Sequence, residues 1–149
     1  MQRFLVTLVV LFICSACSTA QSLTTIFKTA DFIEVDKQKN IYLVDGVEVS
    51  KYSPVGEFLY SYSNKMNGVI TTLDVSNPLR LLVFWEGSNR VAFLNQQLAP
   101  ISEPVNLYTI ANMEISNAGA SSNGGFWAYN LEFQSLNHIT SQWVKNIEY

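Results

Sequence analysis

A four-residue pattern recurs three times at a constant spacing, and this repeat constrains the fold more than any other feature. Its copies are Ile33–Asp36, Leu73–Ser76 and Met113–Ser116, each apolar, acidic, apolar and polar, and each begins 40 residues after the previous one. Aromatic residues make up 13% of the chain and charged residues only 14%, a composition that favours strands over solvated helices. The repeat therefore predicts similar β-units that stand side by side.

Short strands joined by tight turns are predicted within each unit. In the first unit Ile33 and Val35 alternate with polar neighbours, Ile41–Val44 is apolar on both faces, and Asp45–Gly46 is a strong hairpin turn. The second unit repeats this order, with Leu79–Trp85 as its buried strand. No stretch beyond the first twenty residues shows a sustained apolar stripe of helical period, so helix is expected to be scarce.

Units of about 40 residues with four short strands are typical of propeller blades. The sequence predicts an all-β fold, a partial β-propeller of about three four-stranded antiparallel blades, preceded by an N-terminal signal helix. The blades are expected over residues 32–66, 69–108 and 112–149. A two-layer β-sandwich also uses short strands with frequent turns and is the alternative, but the 40-residue step favours the propeller.

Residues 1–20 have the pattern of a secretory signal peptide. Arg3 precedes an apolar run from Phe4 to Ile13, which is too short to cross a bilayer as a helix, and small residues follow it. Residues 21–31 form a polar segment that leads into the repeat domain of residues 32–149. We therefore expect an exported protein of the cell envelope, in the periplasm or at the outer membrane, or a secreted one.

Two cleavage sites compete in this signal. Ser18–Ala20 before Gln21 fits the rule of ordinary signal peptidase, whereas Ser15-Ala16-Cys17 resembles a bacterial lipoprotein box. The lipoprotein interpretation is slightly favoured, and it predicts lipidation of Cys17. Acylation there would tether the mature chain to a membrane without any spanning segment.

Composition argues against several kinds of chemistry. Both cysteines, Cys14 and Cys17, lie within the signal, the chain has one histidine, and its net charge is −3. The sequence thus predicts no internal disulfide, no Cys/His metal cluster and no nucleic-acid interface. His138 is expected to be a surface or turn residue rather than the base of a catalytic triad. No catalytic residue and no cofactor is predicted.

The acidic position of the repeat is a weak candidate for a metal site. Glu34, Asp74 and Glu114 each occur once per unit, on the same side of the same predicted strand. If that strand lined the axis of the propeller, the three carboxylates would converge and attract a cation. An ordinary solvated strand face, on which acidic and apolar residues alternate, is the favoured alternative.

Aromatic side chains on the central strands offer a second possible surface. Tyr42, Trp85, Trp127 and Tyr129 would suit a glycan-binding face, because aromatic rings bury large apolar areas and keep a polar edge. Their position in strands that are expected to be buried favours a role in the core instead.

Several segments carry a resemblance to known families. Lys39–Val44 and Lys51–Gly56 are similar to the signature of NHL-type and related six-bladed propellers. An uncharacterised family of exported propeller-like proteins of Bacteroidetes type resembles the chain more specifically, at Tyr62–Lys65, Asp74–Phe84, Val91–Asn95 and Asn123–Tyr129. Members of that family are longer, so the resemblance implies a truncated chain and an incomplete ring. They have no established activity, so it implies no catalytic residue.

Together these features predict a non-enzymatic cell-envelope protein with a binding or scaffolding role. Its ligand, a protein or a glycan, would be recognised by the loops at one end of the blades. A fragment of a propeller hydrolase or lyase and a non-functional truncated gene product are the alternatives. Three blades do not close a ring, so an exposed blade face is expected to drive self-association. Contact with a membrane is expected only through the lipid anchor.

Overall fold

The computed structural model of the chain describes residues 24–148. This part folds into three four-stranded antiparallel sheets with very little helix. The predicted all-β class and the arrangement in three four-stranded blades are therefore confirmed. The predicted signal helix, both cleavage sites and Cys17 lie outside the described residues.

Each sheet is a meander in which consecutive strands are hydrogen-bonded neighbours. Blade 1 consists of β1 (Phe32–Val35), β2 (Ile41–Asp45), β3 (Glu48–Tyr52) and β4 (Phe58–Ser63). Blade 2 consists of β5 (Thr72–Asp74), β6 (Leu81–Trp85), β7 (Arg90–Leu94) and β8 (Val105–Asn106), and helix α1 (Leu107–Ala111) follows it. Blade 3 consists of β9 (Asn117–Ala120), β10 (Phe126–Asn130), β11 (Ser135–Ile139) and β12 (Lys145–Glu148).

Two apolar layers hold the blades together, and β6 contributes to both. Leu81, Val83 and Trp85 pack with blade 1, where Tyr42 and Val44 are fully buried. The alternate residues of β6 face blade 3 and pack with its buried residues Phe126, Ala128 and Ile139. All five residues of β6 are buried, which explains why this segment is apolar on both faces. Each large side chain buried in this way contributes about 1.5–3 kcal/mol.

The outer face of blade 1 has a different cover. Ile33 and Val35 point away from blade 2 and are 58% and 56% exposed, whereas Leu73 and Val75 at the same positions of blade 2 are buried. Residues 24–31, the strap, lie against the outer face of β2 and β3. Lys28 Nζ donates to Glu48 Oε1 at 2.7 Å, and Thr29 Oγ1 donates to Asp45 Oδ2 at 2.8 Å.

The third copy of the repeat does not form the first strand of blade 3. That strand, β9, begins at Asn117, and residues 113–116 belong to the connection that precedes it. Met113 and Ile115 are nevertheless buried in the layer between blades 2 and 3. Packing of this connection, rather than a strand, therefore explains the alternation of apolar and polar residues there.

Strand pairing shows which residues are equivalent. The second residue of the second strand pairs with Glu34 in blade 1, with Asp74 in blade 2 and with Gly119 in blade 3. Glu114 lies five residues before Gly119 in the sequence and is not part of this set. The predicted equivalence of Glu114 with Glu34 and Asp74 is therefore wrong.

The helical content of residues 24–148 is limited to short segments. Helix α1 has five residues, and a 3-10 turn spans Glu86–Ser88. Within this range no helix has the length and apolar character needed to cross a membrane.

Candidate functional site

A pocket opens where the turns that follow the first strand of each blade meet. The turn after β1 contributes Lys37, the turn after β5 contributes Ser76–Pro78 and Arg80, and the turn after β9 contributes Ser121–Ser122 and Gly124–Gly125. The cavity has a volume of about 620 Å³ and also contacts Phe93, Ala120 and Trp127. We name it the turn pocket. All three blades contribute to it because a meander places the same turn of every blade at the same end.

Asp74 holds two walls of the turn pocket together. Its Oδ1 accepts a hydrogen bond from the amide of Ser76 at 2.9 Å, within its own turn. Its Oδ2 accepts one from the amide of Ala120 at 2.7 Å, at the end of β9 in the next blade. The carboxylate of Asp74 therefore fixes the turn of blade 2 against the edge of blade 3.

The turn after β5 is stabilised further by its own side chains. Asn77 Oδ1 accepts from the amide of Leu79 at 3.1 Å, and Asn77 O accepts from the amide of Arg80 at 3.0 Å. Such an Asx turn followed by proline is strongly preorganised, because asparagine satisfies the backbone locally and Pro78 restricts φ. The side chain of Arg80 therefore leaves a fixed turn at the wall of the pocket.

Small residues form the opposite wall. The amide of Gly124 donates to Ser121 O at 3.2 Å, and Gly124 and Gly125 have φ values of +82° and +72°. A Cβ at residue 125 would lie 2.0 Å from Ile139 O, so only glycine fits there. This wall therefore carries little side-chain bulk and leaves the cavity open.

Arg80 carries the main positive charge of the turn pocket. Its Cζ lies 3.6 Å from the centre of the Phe93 ring, and burial lowers the pKa of the guanidinium. Within residues 24–148 no carboxylate forms an ion pair with Arg80. Lys37 adds a second, exposed cation, and among the described residues that line the cavity none is acidic. The carboxylate of Asp74, close to this wall, is hydrogen-bonded to two backbone amides. Among the described residues, the charged side chains that line the turn pocket are therefore both cationic.

The three acidic residues of the repeat lie at separate places. Glu34 is half-buried on β1, and the carboxylate of Asp74 accepts hydrogen bonds from two backbone amides. Glu114 is exposed at the other end of the blades, beside a second cavity of about 330 Å³ that Glu86 and Glu132 also line. In the part of the chain that the structure describes, no group of three Asp, Glu, His or Cys side chains is arranged to hold a metal ion.

A buried polar cluster connects blades 1 and 2. Asp36 accepts hydrogen bonds from the hydroxyl of Tyr42 at 3.0 Å and from the amides of Gln38 and Asn40. Burial opposes the charged form of Asp36, but these hydrogen bonds outweigh it and hold the pKa of the carboxyl below its usual value. Lys51 Nζ donates to Gln96 O of blade 2 at 2.9 Å, and burial lowers the pKa of this ammonium.

His138 and the aromatic residues differ in part from the expectations. His138 is buried within β11, where its ring lies 4.8 Å from that of Trp127, so the expected surface or turn position is wrong. Tyr42 and Trp85 are fully buried, as predicted for core residues. Trp127 and Tyr129 are partly exposed, because they alternate with the inward residues of β10 and point to the outer face of blade 3.

Sequence analysis did not single out Arg80 or Lys37 as site residues, and it considered Trp127 for a glycan-binding face but favoured a role in the core. A signal was nevertheless present, since Ser76–Pro78 and Ser121–Gly125 are turns that follow the first strand of their units. In an antiparallel meander such turns lie at one end of the sheet. Comparing the side chains next to these turns would have identified Arg80 as a cation near the meeting point of the blades.

The fold places this chain among propeller-type β-proteins. It is similar to a streptogramin B lyase, with 16% identity and a TM-score of 0.58 over 78% of this chain and 39% of the other. A protein of unknown function from Bacteroides caccae matches with 20% identity and a TM-score of 0.58, over 78% of this chain and 47% of the other. At these identities the similarity shows the fold alone.

A catalytically inactive virginiamycin B lyase from Staphylococcus aureus, in complex with quinupristin, is also similar. Its identity is 11% and its TM-score 0.59, over 86% of this chain and 43% of the other. The chain thus spans 39–47% of the length of these three structures. No protein-family model and no curated protein matches the sequence.

Proposed function

We propose that this chain is a non-enzymatic binding or scaffolding protein of the cell envelope whose ligand occupies the turn pocket. The observation that carries the proposal is that all three blades contribute to one cavity of about 620 Å³. Ligand sites typically enclose about 300–1,000 Å³ and combine aromatic walls with a few fixed polar groups. The turn pocket has these properties, with Trp127 and Phe93 as aromatic walls and Arg80 on a fixed turn.

The side chains of the pocket support binding rather than catalysis. Among the residues that the structure describes, those lining the cavity include no histidine, cysteine or carboxylate, which are the usual general bases and nucleophiles. The nearby carboxylate of Asp74 already accepts hydrogen bonds from two backbone amides. A group engaged in this way is a poor candidate for accepting a proton from a substrate.

The envelope location is supported by the signal pattern of residues 1–20 and by the lipoprotein box at Cys17. Metabolic labelling with a clickable fatty acid tests the anchor in cells that express the full-length sequence. We expect a label on the wild-type chain and none on Cys17→Ala. An unlabelled wild-type chain would refute the anchor, while export itself is tested by cell fractionation.

Binding at the turn pocket is tested with the protein expressed from its full-length sequence and an array of neutral saccharides, acidic saccharides and peptides. Ser122→Trp places a bulky ring at the cavity, and Ser63→Trp places the same ring on the exposed end of β4 as a control. We expect Ser122→Trp alone to abolish binding. The proposal fails if the wild type binds no probe, or if both variants bind as it does.

A lyase is the second candidate function, because two of the similar structures are lyases. Quinupristin is present in one of them and is therefore the probe to use. We expect no change in the mass of quinupristin on incubation with this chain. Conversion that His138→Ala abolishes would favour the lyase and overturn the non-enzymatic proposal.

A further inference from the structure

We propose that the ligand of the turn pocket is an acidic sugar whose oxyanion is bound by Arg80 with support from Lys37. This inference rests on the proposed function and names the chemical class of the ligand. It follows from three features of the pocket, which are a cation that no carboxylate of residues 24–148 pairs with, a partly exposed aromatic ring and short polar side chains.

The charge of Arg80 is the first feature. Its guanidinium is partly withdrawn from water against the Phe93 ring, and the pKa of Arg80 is lowered by this burial. A partly buried cation is stabilised by an anion, and within residues 24–148 none is supplied by a carboxylate. The ring of Phe93 covers one face of the guanidinium of Arg80. The N–H groups at the edge of the guanidinium can therefore donate hydrogen bonds to a planar oxyanion.

Lys37 reinforces the selection of an anion. It reaches the same cavity from the turn of blade 1, while Arg80 enters from the turn of blade 2. The cavity at the other end of the blades is lined instead by Glu86, Glu114 and Glu132. The charged side chains that line the two cavities therefore differ in sign, and an anionic ligand is favoured in the turn pocket and disfavoured in the other cavity.

Trp127 and the polar turns favour a sugar as the carrier of the anion. The indole of Trp127, whose ring lies 4.8 Å from that of His138, is partly exposed and lines the cavity, so its apolar surface suits the C–H groups of a pyranose ring. Hydroxyl and amide groups of Ser76, Asn77 and Ser122 line the same space and suit the hydroxyls of a sugar. A bare inorganic anion would engage the cations but would make no use of this aromatic and polar wall.

Isothermal titration calorimetry with matched probes tests the inference. The probes are a glucuronate disaccharide, its neutral glucose counterpart, glucose 6-phosphate and inorganic phosphate. We expect an acidic sugar to bind at least about tenfold more tightly than either the neutral disaccharide or inorganic phosphate. The neutral disaccharide lacks the charge-assisted hydrogen bonds to Arg80, and inorganic phosphate lacks the contacts of the sugar ring with Trp127 and the polar turns. Preference between glucuronate and glucose 6-phosphate tells whether the oxyanion is a carboxylate or a phosphate.

Charge-removing variants test the role of Arg80. We expect Arg80→Gln to weaken binding of the acidic sugar by about ten- to a hundredfold. The neutral probe should be affected little. Arg90→Gln removes the same charge at the start of β7, at the other end of the blades, and should leave the affinity unchanged. Added salt should weaken binding of the acidic probe to the wild type.

Two further variants keep the test decisive if Arg80→Gln does not fold. Arg80→Lys retains the positive charge but loses the paired N–H donors of the guanidinium, so an affinity between those of the wild type and Arg80→Gln is expected. Lys37→Gln alters an exposed side chain and should give a smaller loss than Arg80→Gln. Equal affinity of the wild type for acidic and neutral sugars, with no dependence on salt, overturns the acidic-sugar inference but leaves the proposed function standing. Binding that Ser122→Trp does not alter overturns both.

Discussion

Oδ2 of Asp74 accepts a hydrogen bond from the backbone amide of Ala120 at 2.7 Å, and this bond joins the first strands of two neighbouring blades. The same carboxylate closes the turn that carries Arg80, by accepting from the amide of Ser76. The acidic residue that sequence repetition suggested as a metal ligand is therefore a structural link in the wall of the turn pocket.

Removing this link should destabilise the protein. We expect Asp74→Ala to lower the free energy of unfolding by about 1–3 kcal/mol, because the part-buried amide of Ala120 loses its acceptor. Glu114→Ala is the matched control, since the exposed side chain of Glu114 makes no hydrogen bond in the described part of the protein. It should change stability by less than about 0.5 kcal/mol. Equal effects in urea unfolding would contradict this role of Asp74.

The two neighbouring glycines of blade 3 should respond differently to alanine. Both have positive φ, which costs a residue with a Cβ about 1–2 kcal/mol. A Cβ at Gly124 meets open space, whereas at Gly125 it would lie 2.0 Å from Ile139 O. We therefore expect Gly125→Ala to reduce the melting temperature clearly more than Gly124→Ala, as measured by circular dichroism. A larger reduction of the melting temperature for Gly124→Ala than for Gly125→Ala would show that the turn moves away from β11 to make room for the new Cβ.

Asp36 should make stability depend on pH in acid. Since its pKa is lower in the folded protein than the usual 3.8, its contribution is present above that value and is lost as pH falls through the folded pKa. We expect Asp36→Asn to be less stable than the wild type near pH 7, with a difference that shrinks on acidification. Urea unfolding at several pH values measures this. Glu57→Gln, which alters an exposed carboxylate, is the control and should follow the wild-type curve.

The outer face of blade 1 should mediate self-association. Ile33 and Val35 are more than half exposed on the same face of β1, and exposed apolar side chains on a blade face favour contact with a second copy. We expect Ile33→Thr combined with Val35→Thr to reduce association in sedimentation velocity across a concentration series. Val55→Thr removes a valine of the same 56% exposure from a turn and should not do so. A wild-type chain that stays monomeric at every concentration would exclude this interface.

Local patterns predicted most of blades 1 and 2. Asp45–Gly46 marks the hairpin between β2 and β3, and the apolar run that ends at Trp85 marks a strand buried on both faces. Blade 3 was harder, because Met113 and Ile115 imitate a strand pattern while belonging to a connection packed in the core. The alternation of apolar and polar residues there results from burial of the connection and not from strand pairing. In so short a segment a buried connection and a strand give the same sequence pattern.

The candidate site required the fold. Arg80, Lys37 and Trp127 come from three different blades, and nothing in their spacing along the chain relates them. Their proximity arises because each meander turns at the same end and the blades pack face to face. The burial of His138 likewise could not be predicted from its neighbours in sequence, because in the sheet His138 of β11 lies opposite Trp127 of β10.

The amino-acid sequence by itself determined that this chain forms short antiparallel strands in units of about 40 residues, because alternation of apolar residues and the placement of turn residues act over a few neighbours. Only the tertiary structure decided which acidic residue is a structural link, which aromatic rings stay partly exposed and which cation no carboxylate of the described residues pairs with. Those properties depend on contacts between blades, and such contacts join residues that are far apart in the chain.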